Sequence, residues 1–157
     1  MKIGDVFSIP IDSSRIGYGR VIDKFIKTLI YCVFYSDVVS AEKGISSEIL
    51  LAGITAPAKI NNGDWETIGN DLTGLDEIKR PNFKVMINGS MYVVDFSDKH
   101  RRKIAEEEAD ILSFRSIVAP IRYQNALLAH FGVGEWERPY DKLLYQNVIR
   151  SHEISPT

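Results

Sequence analysis

Asn88 and Gly89 stand between two apolar runs, Phe83-Lys-Val-Met-Ile87 and Ser90-Met-Tyr-Val-Val-Asp-Phe96. Asparagine followed by glycine readily takes the two successive positive φ angles of a tight hairpin turn. A two-residue turn pairs 87 with 90 and so sets the register of the whole hairpin. On that register Phe83, Val85, Ile87, Tyr92 and Val94 share one face, and Lys84, Met86, Met91, Val93 and Asp95 the other. The more apolar first face is expected to meet the core.

The residues upstream also read as strands. Asp5–Ile11 sets Phe7, Ile9 and Ile11 opposite Val6 and Ser8, and Asp12-Ser-Ser-Arg15 supplies turn-forming side chains before Ile16–Ile22; an opening hairpin is expected. Residues 29–35 are aromatic, β-branched or apolar almost throughout, the pattern of a central strand covered on both faces. Ser46-Ser47-Glu48 before Ile49-Leu50-Leu51 and Gly53 resembles a short helix capped at each end. Residues 54–60 contain a proline and suit only an edge strand or loop.

Farther on, the apolar spacing becomes helical. Helices are expected over 103–112, over 120–131 with Pro120 in the first turn and a stripe of Tyr123, Leu127, Leu128 and Phe131, and over 141–149 with Leu143, Leu144 and Val148. Gly132 and Gly134 would end the second. The expected fold is α+β: an antiparallel, strongly twisted sheet formed mainly by the N-terminal two thirds, with C-terminal helices packed on one side.

No repeat or linker-like run interrupts the 157 residues, so a single domain over 1–157 is expected. The longest apolar stretch, 28–35, is too short to span a bilayer, and the opening residues lack the charged-then-apolar pattern of a signal sequence, so neither membrane insertion nor export by that route is expected. Cys32 is the only cysteine and lies in the most apolar segment, which suits an inert core thiol in a reducing cytoplasm. A formal charge of −2 argues against a nucleic-acid partner. Residues 61–100 hold four lysines and arginines against seven carboxylates, a local −3. A solvated surface is the ordinary explanation, a docking face the alternative.

Motifs that would carry chemistry are missing. Gly17-Tyr-Gly-Arg20 lacks the third glycine of a dinucleotide loop and runs into strand residues. His100, His130 and His152 are scattered, with His152-Glu153 in a frayed tail, and no cysteine pair has metal-ligand spacing. The carboxylates of 106–110 would splay around a helix rather than converge, and the basic run 99–103 before them suits local ion pairs. We expect no enzyme, no metal and no cofactor.

Four short segments carry a resemblance: Gly4-Asp-Val-Phe-Ser-Ile-Pro10, Tyr18-Gly-Arg-Val21, Gly63-Asp-Trp-x-x-Ile-Gly69 and Arg80-Pro-x-Phe83. In this order and spacing they resemble the immunity protein 26 family of bacterial polymorphic toxin systems, over a stretch ending near Gly132. The resemblance implies a cytoplasmic bacterial antitoxin, of the kind that serves contact-dependent growth inhibition, which binds the C-terminal domain of a cognate toxin and neutralises it. It brings no catalytic residues. Residues 135–157 fall outside it and read as a variable extension.

The matched Gly4, Phe7, Pro10, Gly19, Arg20, Trp65, Gly69 and Pro81 are expected to be framework. Arg20 is either a buried ion-pair anchor or a toxin contact. Expected partner contacts are Asp64, Glu66, Asp71, Asp76 and Glu77, whose carboxylates would mimic phosphate toward a nuclease toxin, with Trp136 and Tyr140 as aromatic anchors. A monomer is the default, with no membrane partner. The alternative is a small β-rich adaptor that binds nucleic acid or a peptide through Tyr18, Arg20 and Tyr35.

Overall fold

The computed structural model describes residues 1–38 and 48–157, so Ser46 and Ser47 of the expected short helix lie outside the described residues. The chain forms two compact units, Met1–Leu75 with Ile117–Tyr145, and Asp76–Ser116 with Gln146–Thr157. The class is α+β, with a five-stranded antiparallel sheet and a four-stranded sheet that is antiparallel but for one parallel pair, where one sheet was expected. Most pairings join strands adjacent in sequence, the hairpin at Asn88 included, but Asp5 and Val6 pair with Asn70 and Gly69 across more than sixty positions.

In the first unit, β1 (Asp5–Pro10) and β2 (Ile16–Lys24) form the expected opening hairpin. Asp12 builds its turn: its Oδ1 accepts the backbone N–H groups of Ser14 and Arg15 at 3.0 and 2.8 Å. β3 (Ile30–Val38), β4 (Ile49–Thr55) and β5 (Thr67–Asn70) complete the order β4-β3-β2-β1-β5. The expected central strand is therefore interior but one place off centre, between β2 and β4. Ile30 through Tyr35 are buried on both faces.

Residues 49–51 begin β4 and not a helix. β4 pairs with β3 from Tyr35↔Ile49 to Ile30↔Thr55, and a nucleated ladder with an apolar partner outweighs a helix start that has too few residues to propagate. Pro57 follows the strand, and the single turn α1 (Ala58–Asn61) leads into Trp65.

Helix α2 (Pro120–His130) puts Tyr123, Ala126 and Leu127 into a core with Phe7, Ile9, Val21, Cys32, Phe34, Leu51 and Trp65. Gly132, at φ 85°, ends it: the Val133 N–H reaches back to Leu128 O and the Gly132 N–H to Ala129 O, the bonding pattern of a left-handed cap. The helix expected over 141–149 is divided. A 3-10 helix over Arg138–Leu143 buries Tyr140 and Leu143, Leu144 is extended and bridges Leu51, and helix α3 (Tyr145–His152) begins only after it. Pairing with the edge of β4 takes Leu144 out of helical geometry.

In the second unit, β6 (Phe83–Ile87) and β7 (Ser90–Val94) pair in the expected register, from Ile87↔Ser90 to Phe83↔Val94, around Asn88 and Gly89 at φ 50° and 79°. β8 (Arg101–Lys103) pairs antiparallel with β7, and β9 (Ser113–Phe114) parallel with β6. The core does not respect the one-sided expectation. Phe83 and Val94 are buried on one face, but Val93 on the other is buried too, clustered with Leu112 and Ile154.

Residues 103–112 are not an α-helix. Lys103 ends β8, and only a 3-10 turn forms at Glu106–Glu108. The Glu108 carboxylate accepts the Ala105 N–H and the two-pronged Arg102 guanidinium, each at 2.8 Å; this closes one turn locally and ties it to the strand. Nor is the C-terminus frayed at His152 and Glu153: His152 Nδ1 lies 3.0 Å from the Arg80 carbonyl oxygen. Asn82 donates Nδ2–H to the carbonyls of Ser151 and Ile154, and its N–H to Ser151 Oγ.

Among the described residues no helix is long and apolar enough to cross a membrane.

Candidate functional site

Trp65 anchors the loop that carries Asp64 and Glu66 in the first unit. Its indole is buried, stacked on Phe7 at 5.2 Å and edge-on to Phe34 at 5.7 Å, and its Nε1–H donates to Gln124 Oε1 at 3.0 Å. Its backbone N–H donates to Lys59 O at 2.8 Å, which holds the loop against α1. In an extended segment, neighbours of an inward side chain point outward. Asp64 and Glu66 are accordingly both exposed.

These two carboxylates border an open groove of about 470 Å³ between loop 63–66 and the β1–β2 turn, also lined by Ser8, Asp12 and Arg15. Arg15 holds Asp12 at 2.7 Å and donates Nη1–H to Phe131 O at 2.9 Å. Its guanidinium, with the Ser14 N–H, pulls the Asp12 carboxyl down to about 2. Asp12 is thus committed to its own turn. Asp64 keeps a long ion pair with Lys59 at 3.7 Å. The Glu66 main chain bonds Ser8, its carbonyl accepting the Ser8 N–H at 2.8 Å, while among the described residues its carboxylate has no ion-pair partner.

The other expected contacts are distributed differently. Asp71 faces Arg20 at 3.5 Å and accepts the Thr73 N–H at 2.8 Å, which with Arg20 keeps its carboxyl below the ordinary range. Asp76 and Glu77 are exposed in a 3-10 turn over Leu75–Glu77. The acidic residues of the middle segment therefore belong to both units, and only Asp64 and Glu66 come together with the groove. Trp136 is 37% exposed, donates to Asp141 at 2.8 Å and sits edge-on to Tyr140. Tyr140 is withdrawn from the expected set: only 8% exposed, its ring is part of the core.

Among the matched positions, Gly4 has φ 88°, Phe7 and Trp65 are core, Pro10 ends β1 exposed, and Pro81 is buried. Gly19 lies directly beneath Phe7, whose ring would stand 2.7 Å from an added Cβ. Nothing comes within 4 Å of a Cβ at Gly69. Arg20 is 6% exposed, and its Nη1 donates to Asp71 O and Thr73 O at 3.1 and 2.9 Å. Tyr18 and Tyr35 are buried and stacked on each other at 4.6 Å, so the stacking surface that an adaptor would need from Tyr18, Arg20 and Tyr35 is not presented.

Cys32 is buried in the core, and desolvation pushes its thiol far up, away from the thiolate. Among the described residues no group of three His, Cys, Asp or Glu side chains could hold a metal ion. Among the polar contacts that composition did not reveal are Asn82 with Ser151 and Gln124 with Trp65; each joins residues more than fifty positions apart.

Asp64 and Glu66 are thus held outward around the buried Trp65, on the rim of an open groove. The family model for Immunity protein 26 matches residues 2–91, more than half of the 157 residues, and the chain belongs to that family. The matched stretch stops within β7, short of the Gly132 expected from the scattered motifs. No curated protein and no solved structure matches the chain. The family assigns an antitoxin role.

Proposed function

We propose that this protein is the non-catalytic antidote to a cognate polymorphic toxin of the contact-dependent inhibition type, acting in the bacterial cytoplasm by binding the toxin's C-terminal domain and occluding its active or substrate-binding surface. The observation that carries this reading is the match to the immunity family over residues 2–91. That stretch runs through the boundary between the two units at Leu75–Asp76, which supports treating both as one immunity domain.

The residues we assign to partner contact are, in the first unit, exposed Asp64 and Glu66 on the groove and the ring of Trp136, and, in the second unit taken by itself, Asp76 and Glu77. A carboxylate-bearing face suits a toxin with a basic substrate groove, as nucleases have, because carboxylates there take the place of phosphate. The test is co-expression with the toxin domain encoded beside this gene. Survival of cells that the toxin alone kills, together with co-purification of the pair, is expected; death and no co-purification would sink the reading. If the partner is a nuclease, the purified toxin domain should cleave RNA or DNA and stop doing so on addition of this chain.

A further inference from the structure

The two edges of the five-stranded sheet differ. Along β4 the outer edge is occupied: Ile54 O accepts the Val118 N–H at 3.0 Å, and bridges join Ile54 to Ile117 and Leu51 to Leu144. β5 ends the sheet on the other side, and among the described residues no strand or bridge pairs with its outer edge. All four of its residues are exposed. Gly69 has only backbone to expose, and the space beside it is open.

An uncovered strand edge is a row of amide donors and acceptors that proteins commonly protect by shortening, bulging, charging or covering. β5 is short, and a bulge skips Ile68 as the register passes from Val6↔Gly69 to Phe7↔Thr67, leaving Ile68 48% exposed. It carries no lysine or arginine, and none occurs anywhere from Ile60 to Ile78. The charge beside this edge is negative: Glu66 immediately precedes the strand, and Asp64 lies two residues before Glu66. Leu72, just past the strand, is 64% exposed. An added strand would find main-chain partners, an apolar side chain on either side of Gly69 and Asn70, and carboxylates at one end.

We propose that β5 receives an extended, lysine- or arginine-bearing segment of the toxin as an added strand, its main chain bonding to the outer edge of Thr67–Asn70 and its basic side chains meeting Glu66 and Asp64. The proposal rests on the antidote reading and names the mode of recognition within it. Strand addition draws affinity from main-chain hydrogen bonds and specificity from alternate side chains; steering by opposite charge adds to the association rate.

The experiment is hydrogen exchange on the full chain, free and in complex with the toxin domain encoded beside its gene, with the affinity of the double variant Asp64→Lys, Glu66→Lys measured in parallel. Amide exchange over Thr67–Asn70 is expected to slow by at least about tenfold in the complex, since an exposed edge gains hydrogen bonds. The double reversal is expected to weaken binding by about ten- to a hundredfold with an unchanged circular dichroism spectrum. Unchanged exchange at 67–70 in a complex that forms overturns strand addition and leaves the antidote reading standing. Unchanged affinity of the reversal overturns the basic character of the segment. Protection of 67–70 in the free protein that grows with its own concentration would mean that a second copy occupies the edge, and overturns the proposal. Loss of both complex and rescue with the unaltered chain would instead remove the antidote reading.

Discussion

The indole of Trp65 lies 5° from parallel with the ring of Phe7 at a centroid separation of 5.2 Å, and the same Phe7 ring covers Gly19 on the neighbouring strand. Glycine on β2, phenylalanine on β1 and tryptophan from the loop thus stack in sequence from the sheet outward. The stack sets the loop that presents Asp64 and Glu66, so packing in the core controls the position of the candidate binding residues.

Trp65→Ala is expected to cost about 3–5 kcal/mol, the range for emptying a large buried aromatic site. The urea midpoint followed by circular dichroism measures it. Trp65→Phe, which keeps an aromatic body but loses the bond to Gln124, should cost less. A midpoint unmoved by the alanine would mean that the loop is not anchored through the indole.

The two strand glycines should respond unequally. At Gly19 a Cβ would stand 2.7 Å from both the Phe7 ring and the Val33 carbonyl oxygen, so Gly19→Ala should destabilise by about 1–3 kcal/mol. At Gly69 there is open space, and Gly69→Ala should stay within about 0.5 kcal/mol of the parent. Equal effects in the same urea titration would contradict this geometry.

Asn82→Ala removes the side chain that pins Ser151 and Ile154. Leaving those buried acceptors unmet should cost about 1–3 kcal/mol. Because Ile154 closes the small core over Val93 and Leu112, amide exchange at those two residues should quicken in the variant. Exchange confined to its original rate there would show that the C-terminal residues do not hold that core.

Acid should weaken the protein through Glu108 and Asp12. The Arg102 guanidinium and the Ala105 N–H bring Glu108 from its ordinary 4.5 to about 2, and Arg15 with Ser14 brings Asp12 from 3.8 to about 2. A carboxyl lowered on folding stabilises the folded chain above its unfolded value and loses that contribution as pH falls to the folded value. Stability is therefore expected to decline between pH 4.5 and 2. Carboxyl carbon titration by NMR reads the two groups directly, and Arg102→Ala should return Glu108 toward 4.5.

Cys32, raised by desolvation, should behave in the reverse sense. A thiol raised on folding contributes stability that is complete below its unfolded value and is lost as pH rises above it, so the protein should weaken above about pH 9. A thiol reagent is expected to modify the folded chain negligibly at neutral pH and to react with one cysteine per chain in denaturant. Fast reaction of the folded protein would show that the β3 face carrying Cys32 is open.

Local chemistry made some of this legible beforehand. Asn88-Gly89 specified a turn and, with it, a five-pair register. Asp12 announced the opening turn, and Pro120 with Gly132 bounded α2, because the side chains that decide those geometries are in the segments themselves. Around Glu108, by contrast, the helical spacing was misleading: the Arg102 fork and the Ala105 N–H close a single turn, and β8 pairs with β7 just upstream. Leu143, Leu144 and Val148 have helical spacing too, yet Leu144 bridges Leu51, a partner ninety-three positions away in the sequence.

The same division holds at the candidate site. Asp64 and Glu66 were legible only as members of the acidic middle segment, and their outward placement around Trp65 came with the structure, whereas Tyr140 and Trp136 were indistinguishable as aromatic anchors until the 3-10 turn buried one and left the other partly open. By itself the sequence determined turns, caps, strand alternation and the motifs that mark the immunity family, all of which depend on side chains a few residues apart. Only the tertiary structure decided that two sheets form, which face of each hairpin is covered, that Arg20, Tyr18 and Tyr35 are inside, and that no strand among the described residues pairs with the outer edge of β5. Those outcomes depend on contacts between distant segments, whose burial can outweigh the small energies of local preference.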